Sequence, residues 1–263
     1  MLPDDPFAAI AAIPEVADAA ARARAALDPL LLDRRLRTSA AVLAAEATVR
    51  NAHASATLEG VEVPIDELRA GVTGSPLLRS AIAVLEVQRQ LRGLTSVPPR
   101  QAWATIAAVA GRPLLPDDRL GRPRVPGEEA LDPLHLGLGD DLDNGTVRLA
   151  VLADLLQRPT TAPALVVAAI THGELVATQP FGAANGVVAR AAAQLITAQR
   201  GLDPDLLSLG DVGLMALGRA AYARAVRAYD AGGPAGVAAW CVHLAGAFEQ
   251  GALLARAELD ALG

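Results

Sequence analysis

The chain has 263 residues, of which 52% are hydrophobic and only 3% are aromatic. A chain of this length can bury a core without disulfides or metal ions, and a core of Ala, Leu and Val favours close-packed helices over sheets. Its 23 basic residues are scattered among 29 acidic ones, for a formal charge of −6, which argues against a nucleic-acid partner.

We therefore expect an all-α fold. Every basic residue is Arg, and Ala, Gly and Pro are abundant, which suggests a GC-rich bacterial coding sequence. Because this bias inflates the Ala content, the helices must also be supported by periodicity and by capping residues.

Features of the whole chain indicate a cytoplasmic protein without a membrane span. The N-terminus is acidic where a secretory signal would be basic, and the single cysteine, Cys241, resembles a small core residue in a reducing compartment. The uncharged run from Ala231 to Phe248 contains Gly232, Gly233, Pro234 and His243, so a buried helix explains it better than a membrane helix.

Apolar residues recur at helical spacing along most of the chain. Pro14 and the pair Asp28-Pro29 are expected to interrupt the first helices, Gly60 to end one, Pro64 to restart one, and Ser75-Pro76 to begin another. The predicted helical segments are Pro6–Leu27, Arg34–Leu58, Pro64–Leu68, Leu77–Leu94, Val147–Leu156, Ala162–Val176, Gly186–Ala198, Gly213–Ala228 and Pro234–Leu262.

A long segment from Gly111 to Gly145, rich in Pro, Gly and Asp, is expected to form a loop or a hairpin. At its end, the acidic run Asp140–Gly145 lacks the spacing of a calcium-binding loop and is interpreted as a turn or a helix cap. We expect a group of N-terminal helices, residues 1–60, packed on a helical unit of residues 61–263.

The most informative segment is Gln179–Gly186, a compact turn between two apolar helices. Free backbone N–H groups at the start of the second helix can hold an anion such as phosphate. The alternative is a plain connecting turn, in which Phe181 is a core residue and Asn185-Gly186 serves only the backbone geometry.

This segment resembles the motif of the Fic (Fido) family, His-Pro-Phe-x-Asp/Glu-Gly-Asn-Gly-Arg-x-x-Arg, in the same helix, loop, helix setting. Agreement is found at Pro180, Phe181, Asn185, Gly186 and Arg190. Departures are Gln179 for the His, Ala183 for the acid, Ala184 for the first Gly and Val187 for the first Arg.

The resemblance implies a helical Fic fold and a damaged adenylyl-transfer site. In the family the His removes a proton from a target hydroxyl, the acid holds Mg²⁺ on the nucleotide, and the turn and Arg bind phosphate. Gln179 cannot act as a base, Ala183 offers no oxygen and Val187 offers no charge. Loss of the base alone costs about two to four orders of magnitude. The framework residues Pro180 and Phe181, and a phosphate-binding remnant at Asn185, Gly186 and Arg190, would persist.

A second resemblance lies upstream at Ser55, Glu59 and Gly60, which match the inhibitory motif Ser/Thr-x-x-x-Glu-Gly/Asn of family members with an N-terminal regulatory helix. The resemblance implies an ion pair between Glu59 and Arg190 that blocks productive nucleotide placement. The alternative is a helix-ending Glu-Gly with a surface Arg.

The segment Gly121–Gly127 lies where family members carry a flap that docks an extended target by strand addition. Arg122, Arg124 and Val125 are the candidate flap residues, although a plain loop is equally compatible with the sequence. His172 is interpreted as a hydrogen-bonded helix residue near the core, the alternative being a replacement base. His53, His135 and His243 are too dispersed to indicate a metal site.

Three functional hypotheses follow. The first is a pseudoenzyme with an interaction or regulatory role and a protein partner, without a confident cofactor. The second is an active phosphate- or nucleotide-dependent transferase with non-standard residues, which alone would require ATP with Mg²⁺. The third is a helical scaffold in which the motif is incidental. The sequence names neither the partner nor the oligomeric state.

Overall fold

The computed structural model describes residues 5–71 and 76–262, and in these ranges the chain forms helices and loops without a β-strand. The expected all-α fold is confirmed. The α-helices are α1 Pro6–Ala11, α2 Pro14–Leu31, α3 Leu36–Leu58, α4 Ile65–Ala70, α5 Pro76–Leu94, α6 Pro99–Gly111, α7 Leu142–Leu156, α8 Ala164–Thr178, α9 Asn185–Gln199, α10 Gly210–Leu217, α11 Arg219–Asp230 and α12 Gly233–Leu262.

Several helix ends form for the local reasons that the sequence indicates. The Asp5 side chain accepts a hydrogen bond from the N–H of Ala8 and Pro6 opens α1, while Pro14 opens α2. Asp141 caps α7 in the same way, through the N–H of Asn144 at 3.0 Å, so the interpretation of the acidic run as a helix cap is confirmed. The predicted cap Ser75 lies outside the described residues.

The predicted helices differ from the structure in three places. Pro29 lies inside α2, which ends two residues later, so this proline removes one hydrogen bond near the end of the helix without ending it at Leu27. The segment Gly213–Ala228 is two helices, since Gly218 adopts φ 94° and breaks the helical path between α10 and α11. Helix α6 was not predicted, because it follows two prolines; Pro99 is tolerated in its first turn.

Helices α8 and α9 form the centre of the protein. Nearly all their residues are buried, including polar ones, and they pack side by side. Helix α12 lies along α2, α8, α10 and α11, whereas α3 packs on α5 and α10, and α6 packs on α5 and α9. This arrangement places the α8–α9 turn between the end of α3 and the loop of residues 112–141.

One continuous hydrophobic core reaches from Phe7 in α1 to Ala252 in α12. The core runs through both residues 1–60 and residues 61–263. The division of the chain into these two parts stays a prediction. Cys241 is buried in this core, as expected, and burial raises the pKa of its thiol to about 12.

Among the described residues, α12 alone is long and apolar enough to cross a bilayer, and half of its most apolar stretch is buried in the protein. Buried residues such as Trp240, Leu244 and Phe248 recur along this helix. Residues 238–248 of the uncharged run therefore pack as part of a core helix, whereas residues 231–235 are exposed.

Candidate functional site

The α8–α9 turn is held by its own asparagine. Asn185 Oδ1 accepts a hydrogen bond from the N–H of Phe181 at 2.9 Å, and its Nδ2 donates to the carbonyl oxygen of Phe181 at 2.8 Å. Phe181 is buried at 5% exposure and joins the core. The framework residues of the motif therefore keep the turn in one conformation through local bonds.

The backbone of this turn keeps left-handed conformations at two non-glycine residues. Gln179 ends α8 with φ 41° and Ala184 precedes α9 with φ 60°. Such angles cost a non-glycine residue on the order of 1–2 kcal/mol. Ala184 occupies the position where the family motif has its first Gly, so the backbone geometry of the motif persists without the residue that adopts it most readily.

Three residues that the family motif uses for chemistry are replaced by side chains with other properties. Gln179 is 3% exposed, Ala183 is 1% exposed and Val187 is 2% exposed. None of them carries an ionisable group at neutral pH. The site therefore has neither a general base nor a metal ligand nor a phosphate-binding Arg at these positions.

Arg190 lies below the turn and its side chain is completely buried. Its Nη2 contacts Oε1 of Glu59 at 2.7 Å and donates to the carbonyl oxygen of Ser55 at 3.1 Å, while its Nε donates to Ser55 Oγ at 2.8 Å. The expected ion pair with Glu59 is present, and the alternative of a surface Arg is wrong.

The end of α3 positions Glu59. Gly60 adopts φ 80°. The N–H of Val61 donates to the carbonyl oxygen of Ala56, and the N–H of Gly60 donates to the carbonyl oxygen of Thr57. These two bonds define a Schellman cap, which stops the helix directly after Glu59. A Cβ at Gly186 would collide with Oε1 of Glu59, so only glycine lets this carboxylate approach the first turn of α9.

A buried polar network surrounds Arg190. Its Cζ lies 6.0 Å from the ring centroid of Tyr222, whose hydroxyl is 2.8 Å from Nε2 of His172. Asp211 accepts a hydrogen bond from Gln194 at 3.1 Å. Tyr222 and Asp211 come from α11 and α10, and no motif in the sequence marks them as neighbours of the site.

Burial determines the ionisation of this network. It raises the pKa of Asp211 to about 6, against the opposing charge of Arg190. Burial, and then the charge of Arg190, lower the pKa of His172 well below its ordinary value. Burial also disfavours the charged form of Arg190, but the charge of Glu59 raises its pKa overall. Arg190 therefore stays charged at all ordinary pH values.

His172 is fully buried within α8. Its Nε2 bonds to Tyr222, so the interpretation as a hydrogen-bonded core residue is confirmed. With no surface exposed, it cannot reach a substrate, and the alternative of a replacement base is wrong. Among the described residues no group of three or more His, Cys, Asp or Glu side chains is arranged to hold a metal ion.

The candidate flap is a loop with a single bridge to the motif and no hairpin within the described residues. Pro123 pairs with Phe181 in an antiparallel bridge, and the N–H of Arg124 donates to the carbonyl oxygen of Pro180 at 2.8 Å. The N–H of Val125 donates to Glu128 instead. These two N–H donors of the segment are therefore used within the protein.

Side chains of the flap segment support this arrangement. Arg122 makes two hydrogen bonds to the carboxylate of Glu128 at 2.7 and 2.9 Å. Arg124 donates to three carbonyl oxygens, those of Gln179, Glu128 and Gly139. The two arginines therefore brace the loop and attach it to the start of the motif.

A cavity of about 340 Å³ lies beside the first turn of α9, lined by Ala184, Val187 and parts of α3, α5, α6 and the loop of residues 112–141, called the flap loop below. The charged residues among its lining are Glu59 and Asp132, both acidic. An acidic, mainly apolar wall repels phosphate groups, and Ala183 supplies no oxygen to a cation. The residues present do not fit a magnesium nucleotide.

The arrangement of the helices is nevertheless that of known structures. A Fic family protein from Desulfovibrio desulfuricans G20 superposes with a TM-score of 0.68 at 18% identity, covering 93% of this chain and 75% of that one. Fic-1 (residues 134–508) from C. elegans gives a TM-score of 0.67 at 15% identity, covering 95% and 73%. The chain has the Fic fold.

A Fic domain containing signaling protein from Bacteroides thetaiotaomicron VPI-5482 matches this Fic fold over nearly its whole length, with a TM-score of 0.63, 11% identity, and coverage of 94% of this chain and 98% of that one. No protein-family model and no curated protein matches the chain. At these identities the likeness to the solved structures establishes the fold alone.

Proposed function

We propose that this chain is a Fic-fold protein that has lost metal-dependent adenylyl transfer and acts through contacts with a protein partner, as a regulatory or interaction module in the cytoplasm. The observation that carries this proposal is the burial of Ala183 and Val187 as apolar side chains at the positions where the family motif places its metal ligand and its first Arg. Restoring either function would place a new charge among mainly apolar side chains.

The position of Glu59 supports the same conclusion. Its carboxylate lies against Gly186 and pairs with Arg190, so an anionic group already sits at the positive end of α9. A nucleotide phosphate would have to displace this carboxylate. In the family the equivalent contact is inhibitory, and here it is retained although the chemistry it would inhibit is absent.

The proposal is tested by ATP-dependent labelling. Purified protein with Mg²⁺ and ATP labelled on its α-phosphate should incorporate no label, and the Glu59→Gly variant should stay equally silent. The triple variant Gln179→His, Ala183→Asp, Val187→Arg, in the Glu59→Gly background, should show weak self-labelling, provided circular dichroism shows that it is folded. Labelling of the unmodified chain would contradict the proposal, and a silent, folded triple variant would show that the three replacements are not the cause.

A second candidate is a transferase that uses a phosphate-containing donor without the usual residues. It is favoured by unused donors, because the N–H groups of Asn185, Gly186 and Val187 have no partner among the described residues. Calorimetric titration with Mg-ATP separates the two candidates. Micromolar binding, tightened by Glu59→Gly, would support the transferase, whereas absence of binding in both proteins would exclude it.

A further inference from the structure

A second cavity lies on the other side of the motif turn, between α6, α7 and the flap loop. It has a volume of about 250 Å³ and is lined mainly by apolar groups, among them Trp103, Leu142, Leu149 and Phe181. This is slightly below the usual range for ligand sites, about 300–1,000 Å³, so an occupant must be small. The aromatic rings favour a flat, apolar body.

The charged groups on this cavity are both guanidinium groups, those of Arg100 and Arg124, and no Asp or Glu is among its described lining residues. Arg100 is exposed in the first turn of α6 and makes no ion pair or side-chain hydrogen bond within the described residues. A cation is unfavourable at this positive end of a helix, so local helix stability does not explain its position.

Arg124, from the loop between α6 and α7, contributes further donors to the lining of the cavity. Its three hydrogen bonds all go to carbonyl oxygens, and a guanidinium has five N–H groups, so two remain for another acceptor. Burial lowers the pKa of Arg124, although nearby carboxylates oppose this. Trp103 is only 5% exposed, and its indole N–H makes no hydrogen bond within the described part of the chain.

We propose that this cavity is a binding site for a small carboxylate attached to a flat aromatic body, with the carboxylate between Arg100 and Arg124 and the ring against Trp103 and Phe181. The small volume and the internal pairing of the flap backbone favour a small molecule over a peptide. Because Pro180 and Phe181 line the same cavity, the occupant would contact the motif turn, whereas Glu59 is not among the residues that line it. The site is independent of any transfer activity.

The experiment is calorimetric titration of the full chain with 1-naphthoate and, as a neutral analogue of the same shape, 1-naphthamide. We expect naphthoate to bind with a submillimolar Kd and naphthamide about ten-fold more weakly, as the loss of a charge-assisted hydrogen bond predicts. Arg100→Gln should weaken naphthoate binding about five- to ten-fold without loss of stability, because Arg100 is exposed. Arg112→Gln, which removes an exposed guanidinium at the other end of α6, should leave it unchanged.

Three results would overturn the proposal: no naphthoate binding at 1 mM, equal binding of acid and amide, or equal binding by the Arg100→Gln and Arg112→Gln variants. A peptide ending in a free phenylalanine carboxylate that binds more than about ten times as tightly as naphthoate would also overturn it, by assigning the site to a protein terminus. Trp103→Phe, which keeps an aromatic ring but removes the N–H, should weaken naphthoate more than naphthamide; the opposite order would contradict a role for the indole donor.

Discussion

The ion pair between Glu59 and Arg190 offers the sharpest test of how the site is built. The Arg190 side chain is fully buried and that of Glu59 is 11% exposed, so solvent screens the pair little. Glu59→Ala would leave a buried guanidinium with Ser55 as its remaining hydrogen-bond partner. Removing one partner of a buried pair costs about 3–5 kcal/mol.

We expect the lower end, about 3 kcal/mol, because the buried Asp211 also acts on the charge of Arg190. For a chain of this size, 1 kcal/mol corresponds to a shift of roughly 2–4 °C in Tm, so Tm should fall by roughly 6–12 °C. The measurement is urea unfolding followed by circular dichroism at pH 8, with calorimetric Tm as a second readout. Glu62→Ala, which removes an exposed carboxylate three residues away, should change stability by less than about 0.5 kcal/mol.

The double variant Glu59→Leu, Arg190→Met completes the test. Replacing both charges with apolar groups of similar size should cost less than either single substitution, because no buried charge is left unpaired. A loss below about 1 kcal/mol for Glu59→Ala would refute the reasoning, since it would mean that Arg190 is compensated by other groups. The reasoning would also be refuted if the double variant lost as much stability as the Glu59→Leu and Arg190→Met single variants lose together.

Three further outcomes are expected. Asp211 has a folded-state pKa of about 6 against an ordinary value of 3.8, so the stability associated with its protonated form is present below pH 4 and is lost as pH rises to 6. The stability of the wild type relative to Asp211→Asn should therefore fall between pH 4 and pH 6. Parallel pH profiles of the two proteins would contradict this expectation. Ala184→Gly should leave the free energy of unfolding unchanged or raise it by up to about 1 kcal/mol, because φ is 60° at this residue. Ala191→Gly inside α9 should instead destabilise the protein by about 1 kcal/mol. Losses of equal size for the two variants in chemical unfolding would show that the left-handed angle carries no strain. Gly186→Ala should destabilise the protein by displacing the Glu59 carboxylate, and thermal unfolding should show a smaller penalty in the Glu59→Gly background; an unchanged penalty would place the collision elsewhere.

Local chemistry explains which elements could be predicted. The caps at Asp141 and Gly60 act within a few residues of their partners, so the sequence alone indicates them. Helix α6 was missed since prolines before a helix and prolines in a loop look alike. The break at Gly218 was missed because a single glycine inside an apolar periodic run is compatible with either state.

By itself, the sequence determined the turn of the motif and the loss of its reactive groups. Asn185 bonds to the backbone of Phe181 four residues away, which is a local relation, and no fold can give Ala183 an oxygen or Val187 a charge. The pairing of Glu59 with Arg190 was expected from the family resemblance.

Only the tertiary structure decided the surroundings of that pair and the second cavity. Asp211 and Tyr222 reach Arg190 because α10 packs on α3 and α11 packs on α8. The raised pKa of Asp211 follows from burial that no short segment encodes. Arg100 and Arg124 line the same cavity although they lie 24 positions apart in the sequence. Contacts of this kind depend on the path of the chain between the partners, so the spacing of residue types along the sequence cannot specify them.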